Sequence, residues 1–179
     1  MAPATFNRVQ SSGAPARESG TLAALPATVM TFLLGIFSLL GTGCQTVPPF
    51  AQVDFNDKVW RIEHGQAVWK PGRDNPEIAG DLTVARHPDG RTLAQFTKTP
   101  FPFVIAQTST NGWQIEFVAF NRTLRAPGLP PGRLGWLHLV HCLDGSPPPT
   151  SWSFHRLADR QFRLENPSSG ELLEGYLNP

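Results

Sequence analysis

Cysteine is almost absent from this chain: Cys44 and Cys142 are the only two cysteines among 179 residues. Two thiols cannot build the disulfide framework of many small secreted domains, and their spacing gives no zinc-binding pattern. Cys142 lies between His141 and Leu143, a setting more typical of a small buried apolar side chain than of a nucleophile. The hydrophobic core must therefore provide the stability of the fold.

Common catalytic and nucleotide-binding motifs are absent too. The chain has no Gly-x-Ser-x-Gly, His-Glu-x-x-His, P-loop or Gly-x-Gly-x-x-Gly pattern, and its carboxylates are scattered over turns and polar strand faces. His138 and His141 are spaced to share a ligand, but no acidic residue stands where a third metal ligand is needed. We therefore expect a protein without enzymatic activity, metal or cofactor; a hydrolase that uses one histidine is the weakest alternative.

Charged residues are few, at 16% of the chain, and no run of like charges occurs. Beyond position 43 the sequence carries 13 basic and 13 acidic residues, so the formal net charge of that part is zero. Because nucleic-acid binding needs a basic face, we expect no nucleic-acid partner.

The longest apolar run, Val29 to Leu40, has about 12 residues. That is too short for the ~20 residues of a membrane-spanning helix but suits the apolar part of a signal peptide. Gly41-Thr42-Gly43-Cys44 follows, and small residues before a cysteine resemble the lipobox of bacterial lipoproteins. The resemblance implies cleavage before Cys44 and acylation of its thiol with a fatty acid such as palmitate.

The leader departs from the usual pattern in two ways. Gly41 occupies the position where a lipobox usually carries leucine, and residues 22–28 carry no charge, so the n-region is atypical. The alternatives are an ordinary signal peptide, an uncleaved anchor or a core helix, and Met30 is an alternative translation start. We predict a signal peptide over 1–43, a lipidated tether over 44–57 and one β-rich domain over 58–179.

Alternating apolar residues and turn signals predict a chain dominated by β-strands. In the strand after Ser109-Thr-Asn-Gly112, Trp113, Ile115 and Phe117 are predicted to face one side, and Gln114 and Glu116 the solvent. Pro100 and Pro102 predict an edge or a break before this hairpin. Three hairpins are predicted. The first joins 59–63 to 66–70 around His64-Gly65 and places Trp60 opposite Trp69. The second joins 82–86 to 92–98 around Pro88-Asp89-Gly90, and the third joins 101–107 to 113–117.

Residues 125–133 are predicted to form a loop that separates the hairpins from a different element. The apolar stretch Leu134 to Leu143 suits a short helix that ends at Asp144-Gly145, although a buried strand fits as well. Strands are predicted again over 152–155, 161–165 and 171–177. The expected fold is mainly β, of the α+β class: about nine strands in a curved antiparallel sheet or half-open β-barrel, with one or two short helices as a lid.

Aromatic residues are the positive signal, with five tryptophans and twelve phenylalanines. They form either a packed core or the lining of a cavity that accepts an acyl chain or another apolar ligand. The candidate ligand-binding residues are Trp60, Trp69, Phe96, Phe103, Trp113, Ile115, Phe117 and Trp136.

The order of elements resembles the LolA/LolB lipoprotein-localisation family over residues 58–177. The resemblance rests on the lipidated cysteine, the meander of hairpins, the helix before Gly145-Ser-Pro-Pro-Pro149, Trp152 and the closing strands. It implies a half-open barrel with a helical lid over an apolar cavity that holds lipoprotein acyl chains. Gln45 after the cysteine is typical of export to the outer membrane rather than retention at the inner membrane.

We therefore expect a monomer in the cell envelope that faces the periplasm and is held to the membrane by its N-terminal lipid. Its predicted ligand is an acyl chain or a lipoprotein, bound in lipoprotein or lipid localisation. The alternative is a non-catalytic scaffold or interaction lipoprotein whose sheet is fully packed.

Overall fold

A computed structural model describes residues 49–157 and 160–178 of the chain. They form one curved, unclosed antiparallel sheet of nine strands with short helical elements, which confirms the predicted fold class. The predicted signal peptide and the predicted lipidation site Cys44 lie outside the described residues.

The sheet consists of a six-stranded meander, β1 to β6, and three further strands, β7 to β9, that are added at its β1 edge. Strands β1 to β6 pair in sequence order; the chain then crosses to the other edge, where β9 pairs with β1. The spatial order is β6-β5-β4-β3-β2-β1-β9-β8-β7. The strands are β1 (Arg61–Lys70), β2 (Ile78–Arg86), β3 (Thr92–Lys98), β4 (Phe101–Ser109), β5 (Gly112–Phe117), β6 (Arg122–Pro127), β7 (Ser153–Arg156), β8 (Gln161–Asn166) and β9 (Glu171–Leu177).

The segment between β6 and β7 covers one face of the sheet, which we call the inner face. It contains a 3-10 helix (Gly135–Leu137) and a helix α1 (Leu139–Leu143), so the helical interpretation of residues 134–143 is confirmed. Both elements share the main hydrophobic core with the sheet. The indole N–H of Trp152 donates to the carbonyl of Gly132 at 2.7 Å and fixes the return of this segment.

The predicted hairpin at His64-Gly65 is wrong. Residues 61–70 form the single strand β1, and Trp69 pairs with Ile78 of β2 and Leu173 of β9 instead of facing Trp60. Gly65 is glycine because β9 passes against it: a Cβ atom there would overlap the carbonyl oxygen of Tyr176 and lie 2.9 Å from Cα of Leu177. Close approach of two strands, not a turn, explains this glycine.

The predicted loop over 125–133 begins too early, because residues 122–127 form β6. Leu124 pairs with Ile115 of β5 and packs against the core. The described residues contain nine strands, the predicted number, because two errors cancel. Two predicted strands form the single strand β1, and β6 is a strand that the sequence pattern does not predict. The β2–β3 and β4–β5 hairpins are confirmed, and a break falls between β3 and β4 at Thr99-Pro100.

The predicted solvent-facing side of β5 is partly covered. Gln114 is only 4% exposed, because residues 49–57, here called the N-terminal segment, cross the outer face of the sheet. The backbone N–H of Phe50 donates to Oε1 of Gln114 at 3.2 Å, and the Gln107 side chain donates to the carbonyl of Ala51 at 3.3 Å. The described part of the predicted tether therefore lies against the sheet.

Candidate apolar ligand site

Five aromatic side chains meet on the inner face, and we call them the aromatic cluster: Trp69, Phe96, Phe103, Phe117 and Trp136. Trp69 is the centre, with its ring centroid 5.6 Å from that of Trp136, 6.0 Å from Phe103, 6.3 Å from Phe96 and 6.4 Å from Phe117. Most of these pairs are edge-to-face, the geometry that the ring quadrupoles favour. The aromatic cluster therefore packs four strands, β1, β3, β4 and β5, against the 3-10 helix that precedes α1.

The aromatic cluster extends from the core to the surface. Trp69, Phe96 and Trp136 are at most 3% exposed, whereas Phe103 and Phe117 are half-buried. Phe120 lies edge-on to Phe103 at 6.2 Å and is 67% exposed, and Phe101 is 71% exposed. An apolar path therefore runs from solvent, at the end of the sheet where β4 begins and β5 ends, to buried Trp69.

The structure brings together seven of the eight candidate residues. Trp113 and Ile115 are buried in the same core as the aromatic cluster. Trp60 is the exception: it belongs to a second, smaller core on the outer face, where it packs against Ala85 and Leu93. Its ring lies 5.0 Å from that of His87, with the guanidinium of Arg91 over it at 5.3 Å. Trp60 therefore cannot line the same surface as the other seven.

One carboxyl group lies against the aromatic cluster, and the sequence pattern did not indicate it. The indole N–H of Trp69 donates to Oε1 of Glu171 at 3.1 Å, across 102 residues of chain. Burial beside the aromatic rings raises the pKa of Glu171 to about 7, and the hydrogen bond from Trp69 opposes this shift. Glu171 is the first residue of β9, and only the pairing of β9 with β1 brings it to Trp69.

Glu171→Gln is expected to change the pH dependence of stability. The folded protein holds a proton on Glu171 up to about pH 7, whereas the unfolded chain releases it near 4.5, so this group makes the protein less stable as pH rises through that window. Glutamine keeps the acceptor for Trp69 and has no titration. We expect the variant to match the wild type near pH 4.5 and to exceed its free energy of unfolding by about 1–2 kcal/mol at pH 8.

Urea unfolding at a series of pH values measures this difference, with Glu77→Gln on an exposed glutamate as the matched control. The control should not change the pH profile relative to the wild type. A Glu171→Gln profile parallel to that of the wild type between pH 4.5 and 8 would contradict the raised pKa of Glu171.

The two histidines spaced for a shared ligand have separate protein partners. Nε2 of His138 lies 3.2 Å from the carbonyl of Pro131, and Nε2 of His141 lies 3.3 Å from Oγ1 of Thr108. Burial lowers the pKa of His138. Cys142 is fully buried, and burial raises its pKa to about 11, so the prediction that it is a small core side chain is confirmed.

Residues 49–157 and 160–178 contain no group of three or more His, Cys, Asp or Glu side chains arranged to hold a metal ion. Within the same ranges no helix has the length and apolar character to cross a membrane. Neither the comparison with family models nor that with curated proteins gives a match.

Proposed function

We propose that this protein is a membrane-anchored lipoprotein of the cell envelope that binds an acyl chain at the aromatic cluster. The observation that supports the proposal best is the continuous apolar path from exposed Phe120, through half-buried Phe103, to buried Trp69. A packed core alone gives no reason for two phenylalanines to remain more than two-thirds exposed at its edge.

The aromatic cluster suits an acyl chain for energetic reasons. Each methylene group removed from water contributes about 0.8 kcal/mol, and aromatic faces accept such groups without any polar partner. The rings are in contact with one another, so a chain enters by displacing Phe120 and Phe103, the two outermost members of the path. Because burial raises the pKa of Glu171 to about 7, this carboxyl group is only partly ionised at neutral pH.

The surroundings of the apolar path suit a lipid surface. Lys98 pairs with Phe101 across the β3–β4 turn, and Arg122 pairs with Phe117 across the β5–β6 turn; both basic residues are exposed. Basic side chains beside exposed aromatic rings favour contact with anionic lipid headgroups.

The proposed anchor is close in sequence to the N-terminal segment, which is bound to the outer face of the sheet. Five residues separate Cys44 from Phe50, whose backbone is bound to Gln114 of β5. At no more than ~3.6 Å per residue, an acylated Cys44 would keep a bilayer within about 20 Å of Phe50. The sheet that carries the acyl site would thus be held close to the membrane.

Native mass spectrometry of the purified protein tests the proposal. We expect non-covalent acyl species that collisional activation removes, whereas a covalent lipid on Cys44 stays attached. Phe103→Ala should reduce their occupancy about tenfold, the effect of losing roughly 1.4 kcal/mol of apolar contact. Leu129→Ala, at a side chain that is 92% exposed, is the matched control and should change nothing.

The second candidate function is a scaffold or interaction lipoprotein with a filled core. The complete burial of Phe96 and Ile115 and the ring contacts around Trp136 favour it. The same experiment separates the two candidates. Protein that is reproducibly free of non-covalent lipid, and that takes up no added fatty acid, would exclude the acyl site and favour the scaffold.

A further inference from the structure

A concave surface lies on the outer face of the sheet, opposite the face that carries the aromatic cluster. Its volume is about 630 Å³, within the range of ligand sites. Cross-strand pairing places Asp81, Gln66, Tyr176 and Gln161 in one row over β2, β1, β9 and β8. We call this surface the outer groove. It crosses the strands, so it suits an elongated ligand.

The position of the outer groove excludes one common kind of ligand. A peptide that binds as an added strand needs an unpaired strand edge. The central strands under the groove, β1, β2 and β9, are each paired on both sides. Their backbone groups are already used in the sheet, so recognition here depends on side chains.

The charges of the outer groove offset one another. Glu174 forms an ion pair with Arg163 at 3.0 Å, and Asp81 accepts a hydrogen bond from the hydroxyl of Thr99 at 3.2 Å. Lys98 lines the same groove as Asp81. The groove is thus lined by two carboxylates and one lysine, and Arg163 beside it pairs with one of the carboxylates. Such a surface has no strong preference for an anion or a cation, which favours a neutral ligand.

The remaining side chains provide both donors and acceptors. The phenol of Tyr176 donates to Oε1 of Gln66 at 3.0 Å, while the amide of Gln66 also carries two N–H donors, and Gln161 brings a second amide. Tyr176 is 40% exposed, and Val68 and Ala79 line the groove beside it. A ligand with many hydroxyl groups, each donor and acceptor at once, and with apolar C–H faces matches this surface.

We propose that the outer groove binds a neutral oligosaccharide. The pyranose C–H face packs against the ring of Tyr176 and the apolar side chains of Val68 and Ala79. The sugar hydroxyl groups exchange hydrogen bonds with Gln66, Gln161 and the carboxylate of Asp81. Lys98 lies at the margin of both the outer groove and the apolar path, but the residues that contact the sugar lie on the opposite face from the aromatic cluster, and neither proposal depends on the other.

Isothermal titration of the full chain with maltohexaose and chitohexaose tests the site, with a heparin hexasaccharide as the anionic comparison. We expect at least one neutral hexasaccharide to bind with a dissociation constant of about 1 mM or below. Tyr176→Ala should weaken this binding at least tenfold, and Tyr176→Phe, which keeps the ring, should weaken it less. Arg125→Ala, at an exposed outer residue on β6, is the control and should leave it unchanged.

Three results would overturn the proposal: no heat of binding for either neutral hexasaccharide at about 5 mM, binding of the heparin fragment alone, or equal binding by Tyr176→Ala. Thermal unfolding of each variant confirms that it is folded, and Gln66→Ala replaces Tyr176→Ala if the latter is not. Phe103→Ala should bind the oligosaccharide like the wild type, so failure here is distinguishable from failure of the acyl site.

Discussion

Replacing Cys44 with serine is expected to move nearly all of the protein from the membrane fraction to the soluble periplasmic fraction. Serine has no thiol for acylation, and the protein would lose the acyl chains that hold it in the bilayer. One chain gives only marginal membrane binding, whereas two or more give stable anchoring. Fractionation followed by immunoblotting measures the distribution, and mass spectrometry of the N-terminal peptide detects the lipid directly.

Cys142→Ala is the matched control for this experiment, because Cys142 is the second cysteine and is buried in the core. We expect this variant to remain at the membrane. If Cys44→Ser also remained at the membrane, the anchor would be the uncleaved apolar run and not a lipid, and the lipoprotein part of the proposed function would be wrong.

Gly65→Ala is expected to lower the free energy of unfolding by about 3 kcal/mol or more. This is the upper end of the range for substitutions that overpack a core. The added Cβ would overlap the carbonyl oxygen of Tyr176 and press on Cα of Leu177. Both contacts are backbone atoms of β9, so relief requires β1 and β9 to separate. The pairs from Gly65↔Leu177 to Lys70↔Leu172 all belong to that ladder.

Gly128→Ala is the control that separates the steric effect of an added Cβ atom from the backbone strain of replacing glycine. Gly128 has φ of +80° and no atom within 4 Å of an added Cβ, so alanine there costs only about 1 kcal/mol of backbone strain. Chemical denaturation compares the two variants. A Gly65→Ala protein as stable as the wild type would contradict the close approach of β9 to Gly65.

Cys44 and Gly65 differ in how much of the chain is needed to explain them. The leader and its cysteine are interpreted from a local pattern alone, with no described residue before position 49. Gly65 is explained only by a neighbour more than a hundred residues away. The two aromatic residues near it, Trp60 and Trp69, show the same contrast: both look like strand residues, but they lie on opposite faces of the sheet.

Local chemistry accounts for what could be predicted. Pro88-Asp89-Gly90 and Ser109-Thr-Asn-Gly112 promote turns through residues next to one another, and both hairpins occur where they are expected. The apolar stretch over 134–143 is helical, as its composition favours. The sequence does not predict β6 because Arg122–Pro127 has mostly exposed side chains, with only Leu124 and Ala126 half-buried, and continues into a loop rich in Pro and Gly.

The sequence by itself determined the fold class, two hairpins, the helical segment and most of the aromatic residues of the core, because each depends on residues close together in the chain. The tertiary structure decided the rest: the continuity of β1, the outer position of Trp60, the burial of Gln114, the contact of Glu171 with Trp69, and the row that joins Gln66 to Tyr176. The last two contacts span 102 and 110 residues. They arise because β9 returns to pair with β1, an alignment decided by packing over the whole sheet and not by any local signal.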